Sequence, residues 1–263
     1  MGKSNRSIVR VQVVLEVKPV IIPDRYPGQI IGVIDLKDGV AVHGIAGRRA
    51  HYCPVAFCEG NSIQLAQHYL DIGVKELYVA DLDSLRGGQV QWEAHRQLLQ
   101  MGFNRYWFDI GWREALTYEL PRIVEFNERY PKLEWIIATE SCNHLQTFDA
   151  ISAKVGSDRI TLSLDFINGT FLNHHTHWQQ WLRAVVDQGT NNIIILDLAA
   201  VGGRQGVLTV DLCKQILAGF PHLSIWSGGG VRHVADIDEL CRAGCRGVLM
   251  ATALYPDSRS CQG

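Results

Sequence analysis

The sequence predicts an α/β chain closed into a (β/α)8 barrel, and three observations carry that expectation. Eight short apolar runs, rich in Ile, Val, Leu and aromatics, recur along the 263 residues. Longer amphipathic stretches separate them. The second half of the chain echoes the first. Near-continuous apolar runs suit parallel strands covered on both faces, and strand–helix alternation on this scale is the pattern of an eight-unit barrel.

The strand candidates are QIIGVID (29–35), ELYVADL (76–82), RYWFDI (105–110) and LEWIIAT (133–139). The second four are RITLSLD (159–165), NIIILDL (192–198), LSIWSG (223–228) and GVLMAT (247–252). Between them, SIQLAQHYLDIG, VQWEAHRQLLQMG and VADIDELCRAG read as helices that stop at Gly73, Gly102 and Gly244, the residue type favoured where a helix ends in a left-handed turn. Residues 1–28 are read as an N-terminal extension and 29–263 as the barrel. LYPDSRSCQG is a poor helix, so the last helix is expected to be short or missing. The extension, or another subunit, then covers the gap, and a homo-oligomer is one expectation.

The duplication is visible in four ordered matches. DLKDG from Asp35 pairs with DFING from Asp165, and DLDSLRGGQ from Asp81 with DLAAVGGRQ from Asp197. GWREAL from Gly111 pairs with GVRHVA from Gly230, and the IIAT ending at Thr139 with the LMAT ending at Thr252. The reading is two fused half-barrels of four βα units each. Sites of such barrels lie at the C-terminal ends of the strands. Asp35 and Asp165 end strands one and five, which face each other across an eight-stranded ring. Two opposed carboxylates suit a general acid and a general base, while a single Asp there also serves to cap its loop.

Composition narrows the class. Lys and Arg number 25 against 27 Asp and Glu, so no basic surface for nucleic acid is expected. SIVRVQVVLEVKPVII (7–22) is broken by Arg10, Glu16 and Lys18, so neither a signal peptide nor a membrane span is expected, and a soluble cytoplasmic setting is. The odd set of seven cysteines contains no C-x-x-C and is read as reduced thiols. His174, His175 and His177 in NHHTHW are read as surface histidines rather than metal ligands, and no metal or cofactor is expected.

Two further stretches carry candidate contacts. SGGGVRHVADI (227–237) ends an apolar run in three glycines before a helix, and reads either as a turn whose backbone N–H groups meet an anion or as a plain loop with some left-handed residues. VAVHGIAGRRAHYCPV after strand one is basic, with His43, Arg48, Arg49 and His51, and reads either as a lid that grips an anionic substrate or as a solvated loop.

Taken together, VIDLKDGVAVHGIAG, LSLDFING, ILDLAAVGG, SGGGVRHVADI and GVLMATALY resemble the histidine-biosynthesis TIM-barrel family over residues 30–256. Its members include the ProFAR isomerase (HisA type) and the cyclase subunit of imidazole glycerol phosphate synthase (HisF type). The resemblance implies that Asp35 and Asp165 are catalytic. It implies that a substrate phosphate meets Ser227, Gly228, Gly229 and Gly230 together with Ala251 and Thr252. His43, Arg48, Gly202, Gly203, Trp112 and Thr139 are the remaining candidate substrate contacts.

The chain departs from the family pattern in two places. The turn after strand three, FDIGWREAL, has Asp109 and Trp112 where a second phosphate-binding glycine turn would stand, and ATESCN adds Glu140. Leu196, Val201, Gly202 and Gly203 replace the strand-six Thr and the Asp-Gly-Thr loop. The implied function is acid–base chemistry on a phosphorylated small molecule, of the aldose–ketose (Amadori-type) isomerase kind or diverged from it. The alternatives are a paralogue in one-carbon cofactor (methanopterin or methanofuran) biosynthesis, a cyclase or lyase relative, and a phosphate-ligand-binding barrel without chemistry.

Overall fold

The computed structural model describes residues 26, 28–113, 118–203 and 205–256. Most of the N-terminal extension and the last seven residues, Cys261 among them, lie outside these. Eight parallel strands close into one barrel: β1 (Ile30–Lys37), β2 (Glu76–Asp81), β3 (Arg105–Asp109), β4 (Leu133–Ala138), β5 (Ile160–Ile167), β6 (Asn192–Asp197), β7 (Ser224–Gly228) and β8 (Gly247–Met250). Closure is made by β8 against β1, with Ile30, Ile31 and Gly32 opposite Val248, Leu249 and Met250. All eight lie on the runs expected from the sequence.

Among the described residues, besides the single turn Leu82–Leu85, seven helices cover the outside: α1 (Ser62–Asp71), α2 (Trp92–Leu98), α3 (Leu120–Arg129), α4 (Leu145–Val155), α5 (Trp178–Asp187), α6 (Val210–Gly219) and α7 (Val234–Arg242). Gly73, Gly102 and Gly244 all take the left-handed backbone expected of them. After β8 the described residues contain only a 3-10 turn, Thr252–Leu254. The expectation of a short or missing last helix falls mostly on residues 257–263, which lie outside the described residues.

The half-barrel repeat is structural. β1 and β5 each continue into a hairpin arm, Val40–His43 and Thr170–Phe171. The two turns are Asp38-Gly39 and Asn168-Gly169, with φ of 52°, 76°, 50° and 74°. Positive φ at both central residues is the tight-hairpin geometry that Asp-Gly and Asn-Gly favour. The second turn is tied to the next strand end, where Asp197 of β6 accepts the N–H groups of Asn168 (3.1 Å) and Gly169 (2.8 Å). In the first half, Asp83 accepts from Asp38 (2.9 Å) and Gln91 from Gly39 (2.7 Å).

Alternation along each strand sorts its side chains into two cores. One set, including Phe108, Ile137, Leu164 and Ile195, packs outward against the helices. The other, including Ile31, Tyr78, Trp107, Ile136, Ile194, Trp226 and Leu249, fills the barrel. Trp107 and Trp226 hold equivalent places in the two halves, on opposed strands β3 and β7. Their rings meet edge-to-face at 4.9 Å, with Arg105 over Trp107 at 4.4 Å. Two residues beyond them, on the same inward face, stand Asp109 and Gly228. Counting by twos from Ile31 likewise brings Asp35 to the inward face at the C-terminal end of β1.

Among the described residues no helix is long and apolar enough to cross a membrane. Cys53, Cys58, Cys142, Cys213, Cys241 and Cys245 are free thiols.

Candidate active site

A cavity of about 570 Å³ opens at the C-terminal ends of the strands. This is the volume of a small-molecule site. Asp35, Asp109 and Asp165 line it from β1, β3 and β5, and Glu140 from the loop after β4. Burial pushes the carboxyls of Asp35 and Asp165 up to about 7 from 3.8. At Asp35 the Arg49 guanidinium opposes the rise and Glu140 adds to it. At Asp165 Glu140 again adds to it, while hydrogen bonds from the Glu140 backbone, Ser163 and Thr139 oppose it. Asp109 is pushed further, to about 8, by burial and then by Asp165 and Glu140, against hydrogen bonds from Gly111 and Tyr78. Desolvation dominates in all three: a negative charge is disfavoured where water is excluded.

Asp165 is held on every side. Its Oδ2 accepts from Thr139 Oγ1 (3.2 Å) and the Glu140 N–H (3.0 Å), and its Oδ1 from Ser163 Oγ (2.8 Å). Thr139 Oγ1 also accepts the Asp165 backbone N–H at 2.9 Å. The carboxyl of Asp35 lies against Gly44, where an added Cβ would stand 2.7 Å from Oδ2. Burial and the nearby Asp35 push the Tyr52 phenol up to about 12, so it stays a proton donor.

The loop after β1 folds over the opening. The Ala46 N–H donates to the Val201 carbonyl (2.7 Å), and Arg49 pairs with Glu140 at 2.6 Å. Gly202 sits so close to the Gly44 carbonyl that a side chain there would collide with it.

Gly229 and Gly230 line the cavity after β7, across the barrel from β3, with Ala251 and Thr252 after β8, next to β1. Gly229 and Gly230 have φ of 82° and 79°. An added Cβ would run into the Asp197 carbonyl at the first and the Gly206 carbonyl at the second. Backbone crowding alone therefore requires both glycines. Asp236 in the first turn of α7 accepts the N–H groups of Arg232 (2.8 Å) and His233 (3.0 Å).

Of the residues singled out in the sequence, Asp35, Asp165, His43, Gly202, Gly203, Gly229, Gly230, Ala251 and Thr252 line this one cavity. His43 Nδ1 shares a hydrogen bond with Thr252 Oγ1 at 3.2 Å. Ser227 lies beneath the cavity, its hydroxyl bonded to Thr209 (2.6 Å) and the Ile195 carbonyl (2.8 Å). Gly228 is likewise buried, with no room for a Cβ against Leu249. Thr139 is buried and reaches the cavity only by its hydrogen bonds to Asp165. Two candidates fall elsewhere. Arg48 is exposed, and its neighbour Arg49 takes the cavity position. Trp112 is buried in the outer core, edge-on to Trp135 at 5.6 Å.

Tyr52 and Tyr78 were missed as lining groups. Tyr78 was legible in principle, because it is two residues before Ala80 on the inward face of β2. His175 of the histidine cluster packs on His144 at 4.9 Å. Among the described residues no group of three or more His, Cys, Asp or Glu is arranged to hold a metal ion.

The fold and this site define a duplicated (β/α)8 barrel with opposed strand-end aspartates and a glycine turn at the mouth. The chain belongs to the histidine biosynthesis protein family, whose family model matches residues 29–259. It is similar to an uncharacterized protein of Methanocaldococcus jannaschii, 32% identical over 231 residues, covering 86% of this chain and 93% of that one. It is also similar to proteins named 1-(5-phosphoribosyl)-5-((5-phosphoribosylamino)methylideneamino)imidazole-4-carboxamide isomerase. That of Bacteroides thetaiotaomicron is 28% identical, covering 86% of this chain and 94% of the relative. That of Legionella pneumophila is 26% identical, covering 88% and 97%.

Proposed function

We propose that this cavity isomerises a phosphorylated small molecule by paired acid–base chemistry, with Asp35 and Asp165 as the proton-transfer groups. The observation that carries the reading is the pair itself. Two carboxyls on opposed strands line one cavity, and burial holds both at about 7. Near neutral pH each is divided between its acid and base forms, the condition for efficient general acid–base catalysis. The names of the family relatives support isomerase-type chemistry.

On an aminoaldose, the protonated carboxyl gives its proton to the ring oxygen as the C1–O bond breaks and the nitrogen lone pair forms a C1=N iminium, which then accepts the electron pair of the C2–H bond. The ionised carboxyl takes the C2 proton. The enol formed then tautomerises to the ketose, so atoms and charge balance with no cofactor. The ligand phosphate rests on the Gly229–Gly230 turn and the Ala251–Thr252 turn, where backbone N–H groups suit an anion.

Asp35→Asn and Asp165→Asn each abolish turnover of phosphorylated aminoaldoses while the circular dichroism spectrum stays that of the parent chain and Tm does not fall. Normal turnover in either variant refutes the assignment.

A further inference from the structure

We infer that Asp109 is a built-in plug of a second anion site, so that the cavity takes a ligand with a phosphate at one end only. This rests on the reading of the Gly229–Gly230 turn as a phosphate site, and it concerns the turn that the duplication places opposite.

The two turns are equivalent by position. Trp107 and Trp226 pack on each other inside the barrel at 4.9 Å. Counting forward from them, Asp109 stands where Gly228 stands, and Gly111 where Gly230 stands. Gly111 keeps the left-handed backbone of its counterpart, with φ of 67° against 79°. The turn keeps one of its partner's two left-handed residues, since Ile110 stands where Gly229 does, and the Gly111 N–H is already taken. Asp109 Oδ1 accepts the Gly111 N–H at 3.0 Å. Its Oδ2 accepts from Tyr78 Oη at 3.3 Å, and Tyr78 also lines the cavity. The chain's own carboxyl thus fills the place at which a ligand oxygen would meet this turn.

Gly228 has no side chain with which to do the same. Its neighbours Leu249 and Leu196 close over it; beyond it Gly229 and Gly230 line the cavity, while the N–H groups of Arg232 and His233 are taken by Asp236. One duplicated element therefore presents two different ends to the ligand. At β7 and β8 no carboxylate lines the wall. At β1, β3, β4 and β5 four do, against the single guanidinium of Arg49, which is engaged by Glu140.

A phosphate brought to the second end would have to displace Asp109 from Gly111 and then sit beside the acidic side chains of Glu140 and Asp165, each of which repels it when ionised. A hydroxyl, amine or amidine meets acceptors there instead. The ligand class is a monophosphate whose far end donates hydrogen bonds.

The test compares ribulose 1,5-bisphosphate with ribulose 5-phosphate on the full chain by isothermal titration calorimetry. In the parent chain the two bind with similar Kd. Asp109→Gly, which copies the residue at the equivalent position, is expected to tighten the bisphosphate by about tenfold relative to the monophosphate. Asp109→Ala serves where the glycine variant does not fold, as judged by circular dichroism. Asp109→Asn keeps an acceptor for Gly111 and is expected to gain less than either.

An unchanged ratio in folded Gly and Ala variants overturns the plug. Absence of binding to parent and variants alike overturns both this inference and the phosphate reading. A gain confined to the variants upholds the plug even if the parent chain binds neither ligand, in which case the phosphate reading alone fails.

Discussion

Replacing Asp109 by Asn should stabilise the protein, and by an amount that grows with pH. Burial and neighbouring acids push this carboxyl to about 8 from an ordinary 3.8. Between those values the unfolded chain releases the proton that the folded chain keeps. The folded state then binds more protons than the unfolded one, so stability falls as pH rises through this window and levels off above it. Each tenfold step in proton concentration inside the window is worth about 1.4 kcal/mol. The penalty removed by Asn is thus about 2 kcal/mol at pH 5 and about 6 kcal/mol at pH 9, upper bounds because cavity water relieves part of the desolvation. For a chain of this size the gain in Tm should be larger at pH 9 than at pH 5 by about 5–10 °C. Asn preserves the volume and the acceptor for Gly111, so packing changes little. Differential scanning calorimetry of the two chains at pH 5, 7 and 9 reads the effect. An equal Tm difference at all three values refutes the reasoning, because a packing effect does not follow pH.

Other outcomes follow from the same geometry. The rate of the proposed reaction should be bell-shaped in pH with its maximum near 7, because both carboxyls stand at about 7 and one must be protonated while the other is ionised. A rate that is flat from pH 5 to 9 contradicts this. Thr139→Val removes a hydrogen bond to Asp165 Oδ2 and the acceptor for its backbone N–H. It should move one limb of the profile to higher pH and lower kcat about tenfold, with kcat rather than KM carrying the loss. Gly44→Ala places a methyl against Asp35 Oδ2 and should reduce kcat without unfolding the chain, as measured by steady-state rates beside a thermal melt.

The strand pattern and the strand-end aspartates were legible because they are local. A buried parallel strand needs a near-continuous apolar run, and alternation by twos then settles which of its residues face inward. Asp35 and Asp165 follow from that rule alone, as do the glycines after β7 once their place in the duplication is known. The Asp-Gly and Asn-Gly turns after β1 and β5 are equally local, because their positive φ values are a property of two residues.

What the sequence by itself determined, then, is the eight-unit barrel, its duplication and the two opposed carboxyls. Tertiary structure decided the rest of the site. Whether Arg48 or Arg49 reaches the cavity depends on the path of the loop after β1, and that path is set by Val201 and Glu140, which are remote in the chain. Trp112 sits just past the end of β3, where strand alternation no longer applies, and Trp135 draws its indole into the outer core. The carboxyl of Asp109 could be placed at the mouth from its position on β3. Its bonds to Gly111 and Tyr78, and the loss of water that raises its pKa, exist only once β2, β3 and the following turn are assembled. Loop paths and desolvation are collective properties of the folded chain, whereas strand periodicity is written residue by residue.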